Sequence, residues 1–252
     1  MILSGYQFKI KSIATQRPAL KNIWNEVFPA NGPQAKSLVE ISGAPGTGKR
    51  ILLYELMARA TLSTCFGGKD SQVIFVDLCH KFDASSFTEY VKNVMNKNVS
   101  ATSHRSLENS VKYPCESIIH LPCYLPDQFE FAFKDIEELL CDHKRVSLVA
   151  IDGLDTFYWD DCNTQLQRMT THYKKLIQRL KPICQEHNIC CAYTVDANYL
   201  LPKSKRSAYF PHSQIDYKLK LVKHIDGRRY LNDSPIEINC NGIEFLTNKC
   251  VI

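Results

Sequence analysis

The sequence predicts an α/β fold: a mainly parallel, twisted sheet flanked by helices, with antiparallel β-hairpins at its C-terminal end. Three observations predict it. Short apolar runs alternate with longer segments whose apolar residues recur at helical spacing, the signature of parallel strands covered on both faces. A glycine-rich run, Gly43-Ala44-Pro45-Gly46-Thr47-Gly48-Lys49-Arg50, stands between the first strand and the first helix. Two tight-turn pairs, Asp226-Gly227 and Asn241-Gly242, punctuate the C-terminal part.

Strands are predicted at 37–42, 72–77, 117–121, 145–152 and 189–195, and helices at 50–62, 85–96, 126–141 and 166–187. The first strand rests on Leu38, Val39 and Ile41, and the first helix on the run from Ile51 to Ala58. The last helix is capped upstream by Asn163 or Thr164 and is apolar at Leu166, Met169, Tyr173, Leu176, Ile177 and Leu180. Beyond residue 215 the pattern turns to hairpins, 217–225 with 228–231 and 236–240 with 243–246. The polar stretch 96–117 reads as a surface loop. One core is therefore expected over 35–252, with 216–252 as its β extension. Residues 1–34 form a short N-terminal extension with no separate helical domain.

Composition limits the function classes. A chain of 252 residues, 44% hydrophobic and 23% charged, belongs with soluble globular proteins of one or at most two domains. No apolar run approaches the roughly 18 residues of a membrane span, and the N-terminus lacks the basic-then-apolar pattern of a signal peptide. The eleven cysteines are odd in number and form no Cys-x-x-Cys pair, which points to buried, reduced thiols in the cytosol or nucleus. A net charge of +5 permits nucleic-acid contact without arguing for it.

The run from Gly43 to Arg50 is a phosphate-binding loop in its proper strand–loop–helix setting. Its glycines let backbone N–H groups turn inward into an anion nest, and the helix N-terminus adds partial positive charge. Lys49 would reach the β- and γ-phosphates. The position that should carry a Mg²⁺-ligating hydroxyl is Arg50. Downstream, Val146-Ser147-Leu148-Val149-Ala150-Ile151-Asp152 is an apolar strand ending in an aspartate, the Walker B pattern, whose carboxylate holds Mg²⁺ in phosphoryl-transfer sites. Taken alone, such an aspartate equally caps the next turn; behind an upstream phosphate loop it reads as a site residue.

After Asp152 come Gly153-Leu154-Asp155 and the triplet Phe157-Tyr158-Trp159. With the phosphate loop, this block resembles the RecA-type recombinase core, and within it one branch of the eukaryotic recombinase paralogues. Gly67-Gly68, Phe75-Val76-Asp77 with His80 and Phe82-Asp83, Leu221-Val222-Lys223-His224 and Gly242-Ile243-Glu244-Phe245 carry the same resemblance, which spans about 35–246. It implies a RecA-like nucleotide-binding core with Lys49 as the phosphate lysine and Asp152 as the Walker B aspartate. It also implies three losses. The Mg²⁺-ligating hydroxyl becomes Arg50, the water-activating glutamate falls on Cys79, and the γ-phosphate-sensing glutamine falls on Asp196. A thiol is a poor general base at neutral pH, and losing three such parts leaves little transition-state stabilisation.

The resemblance thus implies a pseudo-ATPase that binds ATP weakly or not at all, with no Mg²⁺ site. Should Arg50 fold back onto the nest, its guanidinium would mimic a bound cation. The implied role is a non-catalytic subunit supporting homologous-recombination repair of double-strand breaks in the nucleus. Its direct partner would be the delta-type paralogue, in a complex with the B- and C-type paralogues. Lacking the N-terminal arm, it should cap an assembly and not polymerise itself. Phe157, Tyr158 and Trp159 are either an exposed docking cluster or aromatic packing under the sheet edge. Lys203, Lys205 and Arg206, beside Tyr209 and Phe210, suit single-stranded DNA, although a short charged loop also fits solvated surface. The basic helix positions Lys174, Lys175, Arg179 and Lys181 read as a solvated face.

Two other classes stay open. A working DNA-dependent ATPase would need a replacement carboxylate such as Asp83 or Glu55, and a small-molecule kinase an arginine-rich lid and a substrate-binding insertion after the second strand, neither of which is evident. A free-standing DNA-binding protein would show salt-sensitive DNA affinity on its own.

Overall fold

Alternate residues of each central strand enter two different cores, one on each face of the sheet. The computed structural model of the chain describes residues 9–10, 12–13, 15–98, 113–160, 168–200, 214–239 and 242–246. Strand β1 (Leu38–Gly43) leads to α1 (Lys49–Thr61), β2 (Gln72–Asp77), α2 (Ala84–Asn98), β3 (Ile118–Pro122), α3 (Pro126–Asp142) and β4 (Val146–Asp152). Then come α4 (Met169–His187), β5 (Cys190–Asp196), the one-turn α5 (Ala197–Leu200), β6 (Tyr217–Lys223), β7 (Arg229–Leu231), β8 (Ser234–Asn239) and β9 (Gly242–Phe245). The strands form one sheet in the order β3-β2-β4-β5-β1-β6-β7-β8-β9. Pairings from β3 through β6 are parallel and those from β6 to β9 antiparallel. This is the expected α/β, RecA-like architecture.

The period of two explains the near-continuous apolar strands. Val39, Ile41, Val73, Phe75, Leu148 and Ala150 join the core under α1 and α2. Their neighbours Leu38, Ile74, Val76, Val149 and Ile151 join the core under α3 and α4. Helix α1 is buried on nearly every side because the sheet, α2 and β9 all pack on it. Its buried Glu55 accepts the Ile243 N–H at 2.9 Å and pairs with Arg59 at 2.9 Å.

Three features go beyond what the sequence predicted. The described part of the 216–252 extension is continuous with the sheet, because β6 lies parallel to β1, Val39 opposite Tyr217, before the chain doubles back. A further tight turn at Asn232-Asp233 joins β7 to β8, with Asn232 in the left-handed region at φ 53°. Within the 1–34 segment, Leu20, Ile23, Trp24, Val27 and Phe28 are buried in the first core. Arg17 is buried too, and donates to the carbonyls of Leu140, His143, Val146 and His187 at 2.5–2.9 Å. It thereby caps the C-terminal ends of α3 and α4, whose last carbonyls have no partner inside their helices. Strand register finally sets the site. Gly43 lies beside Asp196, and Asp77 beside Asp152, so the carboxyl ends of β1, β5, β2 and β4 share one edge.

Candidate nucleotide site

At that edge a cleft of about 460 Å³ opens over the phosphate loop. It brings together Pro45, Gly46, Thr47, Gly48, Lys49, Arg50, Cys79, Asp152 and Asp196, all singled out by sequence. Gly43 ends β1 and Ala44 follows it; neither lines the cleft. Gly48 takes φ +106° as α1 begins, and a Cβ there would meet Ile238 Cδ1 at 2.2 Å, so this position requires glycine. Ile238 of β8 thus lies close over Gly48. Lys49 Nζ donates to the carbonyls of Gly43 at 2.5 Å and Ala44 at 3.1 Å, and Thr47 Oγ1 donates to Ala44 O at 2.9 Å. Burial lowers the Lys49 pKa, with Asp196, Asp155 and Asp152 pulling the other way.

Arg50 does not fold onto the nest. Its Nε donates to Asp152 Oδ2 in a close ion pair, joining the first turn of α1 to the end of β4. The other carboxylate oxygen, Oδ1, accepts the Thr194 hydroxyl at 2.7 Å, and that hydroxyl in turn accepts the Gly153 N–H at 2.7 Å. Burial opposes the Arg50 charge, and Asp152 more than offsets it, so the guanidinium pKa is raised. Both oxygens that a Walker B aspartate would offer to a metal or its water are engaged. The neighbouring hydroxyl ligand is replaced by a fixed cation. The donor set here does not fit Mg²⁺. The loop and Lys49 do fit a phosphate chain.

Cys79 lies two residues beyond β2, where its N–H donates to Asp77 Oδ1 at 3.1 Å and its sulfur sits 3.6 Å from Thr156 Oγ1. Burial, then the Asp152 charge, raises its pKa, so it stays a thiol at neutral pH and supplies no base. Gly153, at φ +89°, lets the chain turn beneath it; a Cβ there would meet Cys79 Sγ and Thr156 Oγ1, both at 2.4 Å. The replacement carboxylates are engaged elsewhere. Glu55 is buried against β9 and Lys97. Asp83 caps α2, bonded to the Ser85 and Ser86 hydroxyls, which hold its pKa well down.

Sequence reasoning missed Lys81, Asp155, Thr156 and Thr194 as lining residues. Asp155 stood in the block after Asp152 and was given no role. It accepts the Asp196 N–H at 3.2 Å, and burial raises its pKa. Asp196 accepts the Asn198 N–H at 2.7 Å. The aromatic triplet divides between its two readings. Phe157 packs on Phe129 and Tyr158 on His172 and Tyr199, both buried, whereas Trp159 is 60% exposed. Lys203, Lys205 and Arg206 lie outside the described residues, as do Asn163 and Thr164. None of the described cysteines forms a disulfide. Among the described residues no helix is long and apolar enough to cross a membrane.

A RecA-like sheet whose glycine-rich loop faces Asp152 across the cleft resembles the core of recombinase-type proteins. Comparison with known proteins adds relatives of that type, although no family model matches the chain. The chain is 28% identical over 182 residues to DNA repair protein XRCC2 of Mus musculus, covering 64% of this chain and 62% of that protein. It is 27% identical over 163 residues to DNA repair protein RAD51 homolog 2 of Homo sapiens, covering 63% and 40%. It is 22% identical over 163 residues to DNA repair protein RAD51 homolog 3 of Cricetulus griseus, covering 62% and 44%. The chain thus spans less than two thirds of each relative's length and resembles a RecA-family recombinase paralogue.

Proposed function

We propose that the chain is a non-hydrolysing subunit of a recombinase-paralogue complex that supports homologous-recombination repair of DNA double-strand breaks in the nucleus. The relatives, all named as DNA repair proteins, support the process. The pairing of Arg50 with Asp152 carries the non-hydrolysing part, since it fills the metal position with a side chain. Cys79 in place of a glutamate supports the same reading, because a buried thiol that stays protonated is a poor base for water. The direct partner in this reading is the delta-type paralogue, within a complex that also holds the B- and C-type paralogues. Exposed Trp159, braced by buried Tyr158, is the proposed contact. Lys203, Lys205 and Arg206 are proposed to meet DNA within the complex.

Co-expression of the full chain with each of the three paralogues tests this reading. The expected result is a stable complex with the delta-type partner that survives Lys49→Ala and weakens with Trp159→Ala. Recovery of the chain free of all three would reject it.

A further inference from the structure

Arg50 has more to offer the cleft than its bond to Asp152. A guanidinium carries five N–H donors in a planar fork. Asp152 takes the Nε donor, and a second contact reaches the Cys79 thiol. The side chain stays 30% exposed and lines the cleft with Lys49 and Lys81. Phosphate oxygens suit that geometry, since two parallel N–H bonds from one arginine match them in charge and shape.

Resting on the reading of this loop as a nucleotide cradle, we propose that the cleft binds a nucleoside diphosphate as the free anion, without a divalent cation. Arg50 makes the contact that a metal ion makes in other phosphate-loop sites. Asp152 becomes the residue that positions Arg50. The charge inventory agrees. The lining cations are Lys49, Arg50 and Lys81, and the lining carboxylates are Asp152, Asp155 and Asp196. With Asp152 paired to Arg50 and the metal excluded, Lys49 and Lys81 face two remaining carboxylates and leave little charge to offset a third phosphate. Asp196 sits in register beside Gly43 and acts on Lys49, so it adds repulsion where a terminal phosphate would lie. A diphosphate avoids that clash and still meets Lys49, the nest and Arg50.

The test is calorimetric titration of the full chain with ADP and with ATP, each in EDTA and in excess Mg²⁺. ADP should bind with the same affinity in both buffers to within about twofold, and ATP about fivefold or more weakly than ADP in EDTA. Arg50→Thr should lose binding in EDTA and gain about tenfold on adding Mg²⁺. Arg50→Lys keeps the charge without the fork, and should remain metal-independent at reduced affinity should the threonine variant fail to fold. A gain of about tenfold or more from Mg²⁺ in the native chain would overturn the proposal. So would ATP binding as tightly as ADP, metal dependence in Arg50→Lys, or no ADP binding in either buffer. None of these outcomes touches the non-hydrolysing reading, which falls only if ATP is turned over.

Discussion

Arg50 and Asp152, 102 residues apart in the chain, form an ion pair in which the guanidinium sits on the Walker B carboxylate. Asp152 is only 4% exposed in its side chain, so removing Arg50 alone leaves a buried, half-paired charge. Arg50→Ala should lower stability by about 1–3 kcal/mol, and the double change with Asp152→Asn should recover part of it. A double-mutant cycle by denaturant unfolding reads the coupling directly. Additive losses would mean that the two residues do not stabilise each other.

Arg17 ties three carbonyls between Leu140 and Val146 and a fourth at His187 to one buried cation. Burial lowers its pKa to about 10, so it remains charged at neutral pH. Arg17→Met should cost about 3 kcal/mol or more, because the carbonyls lose a charged donor with no water to replace it. Lysine has one ammonium where arginine has a fork, so Arg17→Lys should recover only part of the loss. Thermal unfolding of both variants checks the order.

His187 is buried, and burial, then the nearby Arg17, lowers its pKa from 6.5 to about 4. Between those values the unfolded chain binds more protons than the folded one, so stability rises with pH and is lost as pH drops. The loss should begin as pH drops below about 6.5 and be complete near pH 4, reaching at most about 3 kcal/mol. His187→Gln should flatten that part of the stability curve. An unchanged acid slope would assign the sensitivity to other groups.

The two buried members of the aromatic triplet should behave unlike the third. Phe157→Ala removes a ring packed on Phe129 and should cost about 3 kcal/mol. Trp159→Ala should change stability by about 0.5 kcal/mol or less while weakening partner capture. Urea midpoints together with the co-expression assay separate the two roles.

Much of the fold was legible because the central strands are short and mainly apolar, and β2, β4 and β5 each end at an aspartate. Strand β2 appears as expected over Gln72–Asp77, while β3 runs one residue later, over Ile118–Pro122. Helix α2 extends to Asn98, beyond the expected end at 96. What was not legible depends on partners distant in sequence. Nothing local tells that β6 pairs parallel with β1, or that Leu20, Trp24 and Phe28 belong to the core. The site shows the same division. Lys49, Arg50, Cys79, Asp152 and Asp196 were found from motif position, and they converge on one cleft. The partner of Arg50 was not found, because it follows from the sheet order that places β4 near the start of α1, not from any spacing. Thr194 was missed because a threonine inside an apolar strand carries no signal until its neighbour is known.

The most direct measurement is phosphate release from MgATP by the full chain, with and without single-stranded DNA. A site whose metal position is filled by Arg50 and whose base position is Cys79 should release phosphate at the background rate in both conditions, unchanged by Lys49→Ala. DNA-stimulated release above background that Lys49→Ala abolishes would contradict the account.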